Sequence, residues 1–511
     1  MTRLLASLGG NPLLRGLVFL ALVALAGCGG YGASGAKGSG PVVGGGASSS
    51  VGTGGGQDFA SFRLALDQNR IPSPASLDEA GFFAEHYTTL PAADCGQTLC
   101  LHGMLSVSPD LVRGGEWTLL QMGMNAPVDP ATVTRPPLDV AVVLDRSGSM
   151  ADAGKMTYAK QGLDLLVDAL GETDTFSLVA FDSTAQKLFG PARVSDRAAL
   201  KAIVDAIQPG TSTNIYDGLE LGYDAAASVG DETQVRRVIF LTDGLANQGI
   251  TDPGAIEAMS ASYGAQYIGL TTIALGGDAD VGLLRDLAEQ AGGNAYFLED
   301  PAAVTEVFTD ELDYFVAPIA YDISVRFGKL PSYDVGTVYG TNSWTATAGG
   351  GALKLPSAFL VSRTSAAPDM NGGRRGGGAA LVAELTPTPS RPATGHCDVA
   401  MLELSYRLPG TSTVLTQDAA IGYDVGAAAG SGYFSGPEIE KNTLILGLFV
   451  ALRDATTKAQ TDPAAARALL VDYQPRVTAA LAAATDPTDP DLLDDLTILQ
   501  KYIDVLAAHA P

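Results

Sequence analysis

Residues 141–150 read AVVLDRSGSM, an apolar run that stops abruptly at Asp145-x-Ser147-x-Ser149. A strand apolar at every position needs cover on both faces, and a parallel sheet flanked by helices supplies it. In sheets of that kind, ligand sites lie in the loops beyond the carboxyl ends of the strands. Three oxygen-bearing side chains at alternate positions suit a small hard cation there. A polar turn in which Asp145 or a serine caps the next helix explains the same residues equally well, and this segment alone leaves both readings open.

The surrounding pattern favours the parallel sheet, because strands and helices alternate from Leu138 onward. Strand 138–144 leads to a helix with Met156, Ala159, Leu163, Leu166, Val167 and Leu170 on one face, a 3.6 period. Strand 176–181, an edge strand at 186–189 and a helix through Leu200 and Val204 follow. Then come helix 214–229, strand 237–241, helix 253–265, strand 267–275, helix 280–291, strand 295–298 and helix 301–316. Residues 137–317 therefore read as an α/β domain with a doubly wound, mostly parallel sheet.

Residues 318–424 revert to period two, at 323–327, 335–339, 380–385 and 400–406, between glycine-rich stretches. That is the pattern of a β-sandwich, and strands near 99–125 would complete it, leaving the α/β domain inserted between two pieces of one β-domain. Residues 58–136 begin with short helices around Pro72-Ser73-Pro74 and continue into those strands. Arg374-Arg375, in a run of glycines, reads as a mobile solvated turn. Residues 425–436 form a linker, and 437–511 give three helices near 437–459, 463–484 and 490–508. The Asp-Pro pairs at 462–463 and 489–490 suit N-cap and first helical position.

Charge and termini narrow the function. The 511 residues carry 31 Lys+Arg against 56 Asp+Glu, a net charge of -25. Nucleic acid is excluded as a partner by that balance, since binding it needs basic patches to displace counterions. Arg3 and Arg15 precede a short apolar stretch, Leu17 to Ala26, which reads as a signal peptide over residues 1–27. Leu25-Ala26-Gly27-Cys28 resembles the lipobox of bacterial lipoproteins, which implies acylation at Cys28 and an N-terminal lipid in the membrane. By the same analogy Gly29 favours the outer membrane of a bacterial cell envelope. Residues 28–57, almost wholly Gly, Ala, Ser and Val, read as a flexible tether. Cys95 and Cys100 are close enough in sequence for a disulfide in an oxidising envelope, and pairing of Cys397 with one of them stays open. With no CxxC and four scattered histidines, a zinc site is not expected.

The opening motif finds partners on other strand ends. Gly210-Thr211-Ser212-Thr213-Asn214 precedes one helix, and Leu241-Thr242-Asp243-Gly244 closes the 237–241 strand. D-x-S-x-S, a threonine in a G-x-S-T loop and L-T-D-G, in this order, resemble the metal-ion-dependent adhesion site of von Willebrand factor type A domains, which integrin I domains also carry. The resemblance implies that Ser147, Ser149 and Thr213 bind the ion directly, with Asp145 and Asp243 often acting through water. Thr211 lies in the same loop, but Thr213 fits the motif better. It also implies Mg2+, or Mn2+ or Ca2+, and a protein partner whose Asp or Glu completes the coordination. More loosely, the layout resembles bacterial lipoproteins related to the YfbK group.

The expected function is thus an envelope-anchored protein that binds a partner through a divalent cation. A metal-free scaffolding module and a metal-dependent hydrolase are the alternatives. The hydrolase is disfavoured because residues 138–317 hold no histidine and the chain has no GxSxG, Walker A or HExxH motif.

Overall fold

Strand Leu138–Asp145 lies between Val235–Thr242 and Thr175–Phe181 and pairs in parallel with both. Outward from Val235–Thr242, strands Ile268–Leu275, Asn294–Leu298 and Gly55–Gly56 continue the parallel order, while Ala185–Arg193 closes the other edge antiparallel. Val140, Val142 and Leu144 pack under helices Lys155–Ala169 and Arg197–Asp205. Ala141 and Val143 face helices Ile215–Ala227, Pro253–Gly264 and Val281–Gln290. Burial on both faces is why the strand carries no polar alternation.

The computed structural model describes residues 49–510 except 53, 129–135, 230–233, 278, 300, 311–317, 361–373, 379 and 429–431. The signal peptide, Cys28 and most of the expected tether lie outside the described residues. So does the end of the expected 301–316 helix, which is α-helical over Pro301–Thr305 and π-helical over Glu306–Asp310.

Among the described residues the second sheet has eleven strands. One limb runs through Cys100–Pro109, Glu116–Ala126, Leu381–Pro387 and Tyr333–Tyr339. The other runs through Gly350–Leu360, Ala320–Lys329, His396–Arg407 and Val414–Asp424. Both limbs bury one core, in which Leu120 and Met122 meet Val325, Leu353 and Leu402. The layering of a sandwich is present, but the limbs are hydrogen-bonded into one sheet by Ser49–Gly52, which pairs with both. Cys95 and Cys100 are disulfide-bonded at the start of the first limb, and Cys397 is a buried thiol outside any disulfide.

Residues 49–57 therefore correct the tether assignment, since both short strands of that segment belong to the sheets. Apart from Val51, which joins the β-domain core, their contribution is backbone pairing, which leaves no side-chain period to read. Gly54 is needed there: at φ +82, a Cβ would meet the Gly293 carbonyl oxygen at 2.6 Å.

Helix Pro437–Ala459 follows Gly436, while Pro463–Ala483 and Pro490–His509 start where the Asp-Pro pairs place them, with Asp462 and Asp489 accepting hydrogen bonds from Ala465 and Leu492 amides. Helices Ala60–Asp67 and Glu79–Ala84 join them: Phe62 meets Tyr502 edge-on at 5.5 Å, and Phe82 lies 5.7 Å from Phe449. Together they cover Trp117, Leu119 and Val382 of the β-sheet. None of the described helices is long and apolar enough to cross a membrane.

Arg375 is not a solvated turn. Its guanidinium is buried and bonds to Asp58 Oδ2 and Glu299 Oε2, each at 2.9 Å, to Glu306, and to the Phe297 carbonyl. The flanking glycines hid a charge shared by four partners distant in sequence. Nearby, His86 is buried with Nδ1 2.6 Å from the Phe82 carbonyl oxygen and Nε2 2.7 Å from Asp495 Oδ2. Two acceptors call for two N–H donors, which is the imidazolium form. Burial alone would lower the His86 pKa, but the charge and hydrogen bond of Asp495 prevail and raise it above 6.5. A raised histidine adds stability that is complete below the unfolded pKa and fades as pH climbs through the folded one. Melting temperature should therefore fall as pH rises above about 6.5, the unperturbed histidine value. In His86→Gln that component should be absent; an unchanged pH slope would show that His86 is not its source.

Candidate metal centre

Parallel register sets the site. Leu144 pairs with Leu241, so Asp145 and Thr242-Asp243 leave adjacent strands side by side. Asp145 Oδ2 accepts from Thr242 Oγ1 at 2.5 Å, and Oδ1 accepts from the Ser147 amide at 2.6 Å. That second bond turns the chain so that Ser147 and Ser149 face back over the strand ends. Ser147 Oγ and Ser149 Oγ lie 3.1 Å apart, and Asp243 Oδ1 accepts from them at 3.4 and 2.9 Å.

The threonine loop is tied to the first loop by its backbone: the Gly148 amide donates to Thr211 O, and the Gly210 amide to Arg146 O. Thr211 is exposed, whereas Thr213 is buried. A side chain on Gly244 would begin 3.5 Å from Thr213 Oγ1 and 3.9 Å from Ser149 Oγ, so these oxygens line one hollow. Asn247 Oδ1 accepts from the Thr213 amide at 2.8 Å, and Asn214 caps helix Ile215–Ala227 by accepting from the Asp217 amide. The structure thus brings Asp145, Ser147, Ser149, Thr213 and Asp243 together; Cys28 lies outside the described residues, and the Cys95–Cys100 disulfide belongs to the β-domain.

The donor set fits a hard divalent ion. Oxygens cis to one another on an octahedron with bonds near ~2.1 Å are about 3.0 Å apart. The triangle of Ser147 Oγ, Ser149 Oγ and Asp243 Oδ1 has edges of 3.1, 2.9 and 3.4 Å. Among the described residues no group of three His, Cys, Asp or Glu side chains could hold a metal, so any ion here depends on the hydroxyls. The Asp145 carboxyl is pushed up to about 6 by burial, against the hydrogen bonds from Thr242 and Ser147.

Two residues escaped the sequence reading. In the sequence Thr242 is only the threonine of L-T-D-G, with no role of its own. Lys155 Nζ lies 2.8 Å from Asp243 Oδ2, and its side chain is buried. One signal was present for Lys155: a lysine opens its helix, where the macrodipole disfavours a cation.

Residues 139–310 match the family model of the von Willebrand factor type A domain. Protein YfbK of Escherichia coli, itself uncharacterised, is 25% identical over 217 residues, which are 42% of this chain and 38% of that protein. The uncharacterised protein sll0103 of Synechocystis is 31% identical over 175 residues, covering 34% of this chain and 40% of that protein. The chain thus spans about two fifths of each of these relatives. A solved von Willebrand factor type A structure from Catenulispora acidiphila superimposes with a TM-score of 0.51 at 14% identity, over 81% of this chain and 97% of that one, and shares the fold.

A buried acid whose pKa is raised favours the folded state at low pH and loses that advantage as pH rises from the unfolded value of 3.8 through about 6. In the absence of metal at pH 7.5, Asp145→Asn should therefore melt at or above the parent temperature, gaining on the order of 1–3 kcal/mol. A clear drop in melting temperature would mean that the carboxylate is kept for structure.

Proposed function

Because residues 139–310 match the family model of the von Willebrand factor type A domain, we propose that the protein binds a partner protein through a divalent cation, preferably Mg2+, held by Ser147, Ser149 and Thr213 with Asp145 and Asp243. The observation that carries this reading is the oxygen triangle at cis-ligand spacing, built on two loops and preformed by hydrogen bonds. When bound, the ion supplies a Lewis-acidic position that an incoming carboxylate fills. The chain's own part is to orient neutral hydroxyls, so that few negative charges offset the ion and an anionic ligand is still attracted.

The surroundings favour a protein ligand. Leu245 and Ile250, in the loop that follows Asp243, are 57% and 44% exposed. Apolar side chains beside a charged centre give an interface its desolvated contact area. Thermal stabilisation by Mg2+, and partner binding at least tenfold stronger in Mg2+ than in EDTA, are expected for the parent chain. Both should vanish in Asp145→Ala. Equal binding by Asp145→Ala in EDTA would eliminate the metal-bridged mechanism.

We also propose that the chain is acylated at Cys28 and stands in a bacterial envelope, the outer membrane being favoured. Support comes from the order of basic residues, apolar stretch and Leu25-Ala26-Gly27-Cys28. More than one acyl chain is needed for lasting attachment. In cells, Cys28→Ser should move the protein from the membrane fraction to the soluble fraction and abolish incorporation of labelled fatty acid; retention of label would place the lipid elsewhere.

A further inference from the structure

Asp243 is shared. Its Oδ1 faces the two serine hydroxyls, while its Oδ2 is held at 2.8 Å by the ammonium of Lys155. The lysine is 6% exposed, so little water screens this pair. Its placement is built in. Lys155 begins helix Lys155–Ala169 after Gly154 at φ +76, and its stem crosses Gly276, where a Cβ would come within 2.8 Å of Lys155 Cε. Gly276 thus leaves the passage that the stem uses.

We propose that Lys155 is an internal counter-cation that competes with the divalent ion for Asp243. It keeps the oxygen triangle assembled when no metal is bound, and it weakens metal binding so that occupancy follows the surrounding divalent-ion concentration. The proposal rests on the metal-site reading above. Charge counting gives the direction. The carboxylates of Asp145 and Asp243 contribute two negative charges, and Lys155 returns one positive charge close to the same oxygens. A divalent ion enters a site of net charge minus one instead of minus two, and it meets a like charge already seated on one of its carboxylates. With the ion bound, the site is left net positive, which favours an anionic ligand.

The test is titration of the intact chain with Mg2+ alone, by calorimetry, for the parent, Lys155→Gln, Lys155→Arg and Asp145→Ala. Glutamine keeps a donor toward Asp243 and removes the charge, so Lys155→Gln should bind Mg2+ at least tenfold more tightly. Lys155→Arg keeps the charge and should stay within threefold of the parent. Equal or weaker binding by Lys155→Gln overturns the proposal. Should Lys155→Gln be unfolded without metal, refolding on addition of Mg2+ supports the proposal, because the ion then replaces the lysine. Failure to fold even in saturating Mg2+ overturns it, since the lysine would be needed for packing that an ion cannot supply. Should the parent and Asp145→Ala titrate alike, the metal-site reading itself fails, a result separate from any effect at Lys155.

Discussion

Everything at the candidate centre depends on the register of two parallel strands. Leu138–Asp145 and Val235–Thr242 are buried from end to end or nearly so, and they pair so that Leu144 faces Leu241. Because both faces are apolar, a period-two pattern does little to choose between registers. The polar groups at the strand ends do more. Thr242 Oγ1 reaches Asp145 Oδ2 across the pair, and Ser149 reaches Asp243 one residue further on. A slip of one residue would separate both bonds and leave buried oxygens unpaired, at a cost of roughly 1–3 kcal/mol each. The groups that form the site are thus also groups that set the alignment of the strands beneath it.

The rest of the molecule holds that sheet from outside. The β-domain lends a bridging strand, Ser49–Gly52, and three residues later the same segment adds Gly55–Gly56 to the edge of the parallel sheet. Arg375 then ties Asp58 to Phe297 O and Glu299, at the carboxyl end of strand Asn294–Leu298. Buried ion pairs of this kind add little net stability, yet removing one partner strands the others in a low-dielectric interior. Their consequence is geometric: segments far apart in sequence are fixed at the same end of the sheet as the candidate centre.

Much of this was legible in the sequence, for physical reasons that also explain what was not. Apolar runs such as 141–144 announce strands covered on both faces, and Asp462-Pro463 and Asp489-Pro490 announce helix starts, because burial and capping act on neighbouring residues. The Asp145, Ser147 and Ser149 spacing is local as well. Gly52, Gly54, Gly55 and Gly56 gave no such signal, since a glycine acts through backbone atoms alone. Arg375 looked solvated because its four partners lie in segments far away in the chain. The motif favoured Thr213 over Thr211, and the packed loops add the reason, placing Thr213 beneath Gly244 and leaving Thr211 exposed.

The distances at the centre carry one more implication. Hydrogen-bonded oxygens and oxygens that share an octahedral ion have nearly the same separation, about 3 Å. Ser147, Ser149 and Asp243 therefore stand at spacings that serve both states, and a divalent ion need not rebuild the loops in order to bind. Where reorganisation is small, affinity is governed chiefly by charge and desolvation. Lys155 is the buried cation seated on that charge balance, on the side of Asp243 away from the serines. In this fold, then, the loops set where an ion would sit, and Lys155, at the first position of helix Lys155–Ala169, would bear on how readily it stays.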